Sequence, residues 1–319
     1  MGSRLAVFFD NFIGEPIRRK NGDLFIYRAV QFLHAWTNGR TSVALRHLAK
    51  IFKAPKRLPP SSVLAADATT LAAHQLDELG WSILPYRLPE EDLQALREFC
   101  FSTPCYSKNP VSDQYILNPD VMRNDLPRFT WRTRDVVKVP AVQRLLKDSG
   151  MHDVAQAYLR CRPTLTLITL WLTTNYDGEF DAHHYHYDNE NPKFLKFFIY
   201  LTDVDKDTGA HVFMPRSHHP VKPSAFKKSV RYTDEQVWDG YGRENEKVFE
   251  APAGTIIVED TLGFHKGSTP KRDYRLILQL EYAIFNTPGE ELSCPVDRVP
   301  VPGLDQHIAP IVDKFFIPA

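Results

Sequence analysis

The sequence predicts a mainly β protein with flanking helices, its strands rolled into a sandwich or barrel, on three observations. The stretch Thr164–Thr174 (TLTLITLWLTT) is rich in β-branched residues and ends at the turn signal Asn175-Tyr176-Asp177-Gly178. Shorter apolar runs come after it at Lys196–Leu201, His211–Met214, Gly254–Val258 and Arg275–Tyr282, separated by Gly, Pro, Asp and Asn. The chain has 319 residues and is 43% hydrophobic, enough to bury the core of a β-domain of about 200 to 250 residues with an attached element.

The elements are justified in chain order. Residues 1–60 hold 11 Lys and Arg against 3 Asp and Glu, a balance of +8, which leaves 28 against 36, or −8, for the remainder. Helical stretches at about Asp23–Trp36 and Thr41–Phe52 and a proline-rich link, Pro55–Pro60, make this a basic helical N-terminal extension, with the β unit expected over 61–319. The simpler reading of the extension is a solvated helical pair on the acidic remainder; the functional reading is a cap that steers an anionic small molecule. Pro104–Arg134 is a punctuated loop whose arginines and aromatics, Arg128 and Trp131 among them, suit a polar or anionic substrate. Phe129 and Trp131 read equally well as core. The long strand Thr164–Thr174 then enters the loop that carries the chemistry.

That loop contains His186-Tyr187-Asp188, with His265 lying 77 residues beyond Asp188 and Arg275 ten further on. Two imidazoles and one carboxylate are the ligand set of the facial triad that holds Fe(II) with three positions open. On an extended strand, residues i and i+2 share a face, so His186 and Asp188 can grip one ion while Tyr187 points away. Of the 12 histidines, only His186 has an acidic residue two places later. His34, His47, His74 and His152 read as structural or surface residues, whereas His183, His184, His211, His218 and His219 crowd the region of the triad.

These residues resemble the phytanoyl-CoA dioxygenase family of Fe(II)- and 2-oxoglutarate-dependent oxygenases. Leu76–Phe99 looks like its opening helix, strand, proline turn and helix. Leu201–His218 looks like its strand, acidic turn, glycine, strand and closing Pro-x-Ser-His. The resemblance covers about residues 65–287 and implies a double-stranded β-helix, a cupin-like jelly roll. It implies His186, Asp188 and His265 as catalytic metal ligands and Arg275 as the partner of the distal carboxylate of 2-oxoglutarate, a role that a planar, permanently charged fork suits. Ser268 is a further cosubstrate candidate, although it stands three residues after His265 where the family tends to place serine at two. Thr173 is a candidate from its position at the end of the long strand. Arg216 occupies a turn position that is glycine in the family, free either to reach substrate or to face water. Asp188 is retained where iron halogenases on this scaffold carry a small residue.

The implied reaction is hydroxylation, or another oxidation, of an unactivated C–H bond of a small-molecule metabolite, with O2 consumed and succinate and CO2 released. Alternatives are a hydroxylase of a protein or other macromolecule, a cupin-like metalloenzyme that uses no 2-oxoglutarate, and a binding protein on an inactive scaffold. No nucleic-acid module is recognised and no stretch approaches the length of a membrane span. The N-terminus lacks a long apolar signal core, and Cys100, Cys105, Cys161 and Cys294 show no C-x-x-C or zinc spacing, so a reduced, cytoplasmic protein is expected.

Overall fold

The computed structural model describes residues 22–107, 113–178, 183–226, 230–286 and 296–319; Cys294 and residues 1–21 of the basic extension lie outside these. Helices α1 (Gly22–Thr37) and α2 (Arg40–Phe52) come first, then α3 (Ala66–Leu79), strand β1 (Trp81–Arg87) and α4 (Glu90–Ser102). Short strands β2 (Cys105–Tyr106), β3 (Gln114–Tyr115) and β4 (Arg128–Trp131) lead to helices α5 (Thr133–Val136), α6 (Pro140–Lys147) and α7 (Gly150–Leu159). Next come β5 (Thr164–Thr174), β6 (Phe194–Tyr200), β7 (His211–Phe213), α8 (Asp234–Tyr241), β8 (Lys247–Phe249), β9 (Thr255–Glu259), β10 (His265–Gly267) and β11 (Tyr274–Ala283). The chain closes with β12 (Val299–Val301), α9 (Ala309–Val312) and β13 (Phe316–Pro318).

Eight strands form one sheet in the order β1-β9-β6-β11-β5-β4-β2-β3, and β10-β7-β8 form a smaller one. The two sheets make the double-stranded β-helix expected from the sequence. Each predicted apolar run is a strand within a residue or two of its expected bounds, and the opening unit is α3, β1 and α4 as read.

Alternation divides the large sheet into two faces. Leu170 and Leu172 of β5, Phe197 and Ile199 of β6, Ile256 and Val258 of β9, and Leu276 and Leu278 of β11 are buried in one core with Leu76 of α3, Leu93 of α4 and Val154 of α7. Each such side chain contributes about 1.5 to 3 kcal/mol of transfer free energy. Trp171, Phe198, Ile257 and Ile277, from the same strands, face the other way and meet Phe213 and Phe249 of the small sheet. The space between the sheets is where the candidate site lies.

The helical pair at the start is seated on the β unit. Arg46 Nε donates to Pro192 O (2.7 Å), Lys53 Nζ to Ile284 O (2.9 Å) and Asn38 Nδ2 to Lys222 O (2.9 Å). Gly39, with φ of 79°, lies so close to Pro220 that a Cβ there would fall 2.0 Å from its carbonyl oxygen. Among the described residues, no helix is long and apolar enough to cross a membrane. Phe129 and Trp131 are fully buried core residues, the Trp131 indole donating to Cys100 O and Thr103 O.

Candidate active site

His186 and His265 meet because their backbones pair. His186 N donates to His265 O (3.0 Å) and His265 N to His186 O (2.9 Å), an antiparallel bridge that puts both side chains on one face with ring centroids 4.3 Å apart. Asp188 is tied by its own N–H to Thr261 O (2.8 Å), and its Oδ2 lies 3.5 Å from His265 Nε2. One donor atom from each of His186, Asp188 and His265 falls within 4.8 Å of the others. Tyr187 turns the opposite way into a buried cluster with Met214, Phe226 and Phe264, as the alternation requires.

The chemistry of these donors fits a divalent metal. His186 Nδ1 bonds to His184 O and His265 Nδ1 to Gly263 O, both at 3.0 Å, so each ring carries its proton on Nδ1 and presents the Nε2 lone pair. Burial, with His186 close by, holds the His265 imidazole well below its ordinary value, and burial also lowers His186, so both rings are neutral at pH 7. Burial works to raise the Asp188 carboxyl, but the Lys196 ammonium holds it below the usual carboxylate range. Two neutral imidazoles and one carboxylate are the donor set that suits Fe(II).

A second cluster surrounds Asp188. Lys196 Nζ lies 2.8 Å from Asp188 Oδ2, 3.0 Å from Glu190 Oε2 and 3.5 Å from Glu281 Oε2. In register it sits between Glu259 of β9 and Glu281 of β11. Glu259 is fully buried and bonded to His211 Nε2 (2.8 Å); burial and the nearby Asp188 raise its carboxyl well above the ordinary range.

At the other end of the cavity is a row of cations. Thr173 of β5 pairs with Arg275 of β11 on one side and Arg128 of β4 on the other. Arg275 is buried, donates through Nη1 to Gly209 O, and leaves its buried Nε without a partner. Arg128 stacks over Trp171, 4.5 Å from the ring centroid, and its buried Nε is also unpartnered. Burial and Arg275 bring the Arg128 guanidinium down to about 10. Among the described residues neither arginine has a carboxylate within ion-pair distance, so the row has positive charge and unused donors for a small anion.

Residues 131–271 match the family described as phytanoyl-CoA dioxygenase (PhyH). Over that segment the chain resembles the phytanoyl-CoA dioxygenase family. The matched segment contains all three triad residues, whereas Arg128 and Arg275 stand just outside its ends. The fold is similar to that of the non-heme alpha-ketoglutarate-dependent epimerase SnoN from nogalamycin biosynthesis, with 14% identity and a TM-score of 0.50 over 69% of this chain and 84% of that one. Also similar are EctD from S. alaskensis (18% identity, TM-score 0.49, 77% of this chain and 95% of that one) and AviO1 from Streptomyces viridochromogenes Tue57 (19%, 0.46, 71% and 99%). No curated protein matches the sequence.

The structure places the other sequence candidates as follows. Gly267 is the residue against Arg275: a Cβ there would lie 2.8 Å from Arg275 Nη2. Ser268, one residue further, lies just past the end of β10, its backbone N–H donating to Ala210 O (3.0 Å), and among the described residues no hydrogen bond joins it to Arg275. Arg216 adopts a left-handed φ of 63° at the glycine position, and its exposed guanidinium lies 3.1 Å from Glu78 on α3, outside the cavity. Lys193 donates to Tyr158 O beneath α7 and does not join the triad, whereas Lys196 does. His211 lies between the sheets, its ring centroid 5.7 Å from that of His265, while His183 bonds to Thr269. Sequence reasoning passes over Gly267 and Glu259 altogether. It names Arg128 only among the arginines of a loop and Lys196 only as the first residue of an apolar run, and the strand register singles them out.

Proposed function

We propose that this chain is an Fe(II)- and 2-oxoglutarate-dependent dioxygenase that hydroxylates an unactivated C–H bond of a small-molecule metabolite, releasing succinate and CO2. The observation that carries the reading is the pairing of two half-sites: a His186–Asp188–His265 triad and, beside it, two guanidinium groups that have no carboxylate partner among the described residues. His265 and Gly267 are two residues apart on β10, roughly 6.6 Å of strand, and Gly267 abuts Arg275. That offset suits a short dicarboxylate held at one end by the metal and at the other by Arg275 and Arg128, with Thr173 between them.

The bound metal supplies the activation of O2 that no amino-acid side chain provides. The chain's own residues do the rest. His186 and His265 present neutral donors, Asp188 supplies negative charge, and Arg275 with Arg128 orients the cosubstrate carboxylate. Trp171, Phe198, Ile257 and Ile277 keep water from the cavity. SnoN, with a similar fold, is named an epimerase, so the fold admits more than one product after hydrogen abstraction, and product analysis belongs in the test. The division into a basic extension over 1–60 and a catalytic unit over 61–319 is part of the same proposal, supported by the proline-rich link.

The test is anaerobic titration of metal-free protein with Fe(II) and then 2-oxoglutarate, watching for the weak visible charge-transfer band of a chelated 2-oxo acid. The band is expected and should vanish in His265→Ala. Iron binding without the band would favour a cupin-like metalloenzyme that uses no 2-oxoglutarate; no iron binding would end the enzyme reading.

A further inference from the structure

We propose that Lys196 is a positioning residue that sequesters Glu190, so that the metal meets three protein ligands rather than four. The inference rests on the reading of the site given above.

His186, Asp188 and Glu190 occur at every second position, so the ligand pair is followed by a third donor at the same spacing in the sequence. Only the first two join His265 in the triad. Glu190 instead lies 3.0 Å from the Lys196 ammonium, which also holds Asp188 Oδ2 at 2.8 Å. Lys196 is fixed for this task. It is buried on β6 and flanked in register by strands β9 and β11, which direct its stem toward the carboxylates. The third partner, Glu281, is itself anchored, since the Thr166 hydroxyl donates to its Oε1 (2.7 Å). Glu190, on the irregular segment after Asp188, has no such second tie among the described residues and is the partner able to turn.

The Lys196 ammonium holds Glu190 in an ion pair at 3.0 Å. Without Lys196, Glu190 loses the one cation with which it is paired among the described residues, and a carboxylate two residues beyond a ligand becomes free to turn to the metal and take one of the positions that cosubstrate chelation needs. Lys196 therefore decides how many positions stay open, without touching metal or cosubstrate.

The test compares wild type, Lys196→Met, Lys196→Met/Glu281→Gln and Lys196→Met/Glu190→Gln. Anaerobic calorimetry reads Fe(II) affinity, and the visible charge-transfer band reads 2-oxoglutarate affinity. Lys196→Met should bind Fe(II) at least as well as wild type, Glu190 adding a donor, while its Kd for 2-oxoglutarate rises by about tenfold or more, roughly 1.4 kcal/mol. Lys196→Met/Glu190→Gln should return that Kd to near the wild-type value. Lys196→Met/Glu281→Gln buries less uncompensated charge, covers the case in which Lys196→Met does not fold, and should show the same selective loss. Parallel loss of Fe(II) and 2-oxoglutarate, or a Glu190→Gln double variant that stays as weak as Lys196→Met, would overturn the proposal. A wild type that binds neither Fe(II) nor 2-oxoglutarate would instead overturn the reading of the site on which it rests.

Discussion

His186 and His265, 79 positions apart in the sequence, exchange both of their backbone hydrogen bonds, at 3.0 and 2.9 Å. The metal-binding geometry is thus set by main chain before any side chain contributes. His265→Ala should leave this bridge intact and remove one donor. Fe(II) affinity should fall by at least about 100-fold, beyond what losing a group behind a ligand costs, with little change in urea midpoint. Calorimetry beside a denaturation curve checks it; retained iron affinity would remove His265 from the ligand set.

Arg275→Ala should weaken 2-oxoglutarate binding by about 10- to 100-fold, corresponding to the roughly 1.5 to 3 kcal/mol of a hydrogen bond to a charged group, with Fe(II) affinity unchanged. Arg128→Ala should cost less, about tenfold, because the residue is only partly buried and its guanidinium is partly committed to the Trp171 ring. Arg275→Lys should recover only part of the loss, since the planar fork is gone. Steady-state KM for 2-oxoglutarate decides among these, and a normal KM in Arg275→Ala would dismiss the anion-receptor role.

Gly267→Ala places a methyl group 2.8 Å from Arg275 Nη2, so the end of that flexible side chain must shift. A displaced guanidinium should raise the KM for 2-oxoglutarate by about tenfold, since small misplacements of a positioning group carry penalties of that order or larger. Thermal stability should barely move. An unchanged KM would show that Arg275 has room to spare.

His152 gives a pH signature away from the metal. It is fully buried, with Nε2 bonded to Leu146 O and Nδ1 to the Tyr282 hydroxyl, and burial lowers it to about 4. Because the folded value is depressed below the unfolded one, the unfolded chain binds more protons between about pH 6.5 and 4. The contribution is complete above pH 6.5 and is lost as pH falls, on the order of 2 kcal/mol by pH 5. Urea midpoints at pH 7.5 and 5 should show that drop in wild type and a smaller one in His152→Gln.

Much of the fold and of the candidate metal site is legible in the sequence. TLTLITLWLTT declares β5 by composition, and the two-residue spacing of His186 and Asp188 states a ligand pair in the only notation a strand has. The hidden part depends on register between distant strands. Arg128 sits on a four-residue strand inside a punctuated loop, and only its pairing with Thr173 brings it beside Arg275. Lys196 looks like one polar interruption in an apolar run until Glu259 and Glu281 appear on either side of it. Ser268 is a candidate by proximity in sequence, whereas the contact of Gly267 with Arg275 shows only in three dimensions. Arg216 is a cavity candidate because it stands where glycine is expected; its backbone keeps the glycine conformation while the side chain leaves for Glu78.

Along β11 the inward residues run Arg275, Ile277, Gln279, Glu281, cationic at one end, neutral through the middle and anionic at the other. A single strand thus carries opposite charges at its two ends, the anionic one shared with the Lys196 ammonium. A dicarboxylic acid entering backwards would press its free carboxylate toward Glu281 and Glu190, and a monoacid would leave the guanidinium pair unneutralised. On the function proposed above, the alternation of one strand would then act as a polarity filter for the acid and for the direction in which it lies.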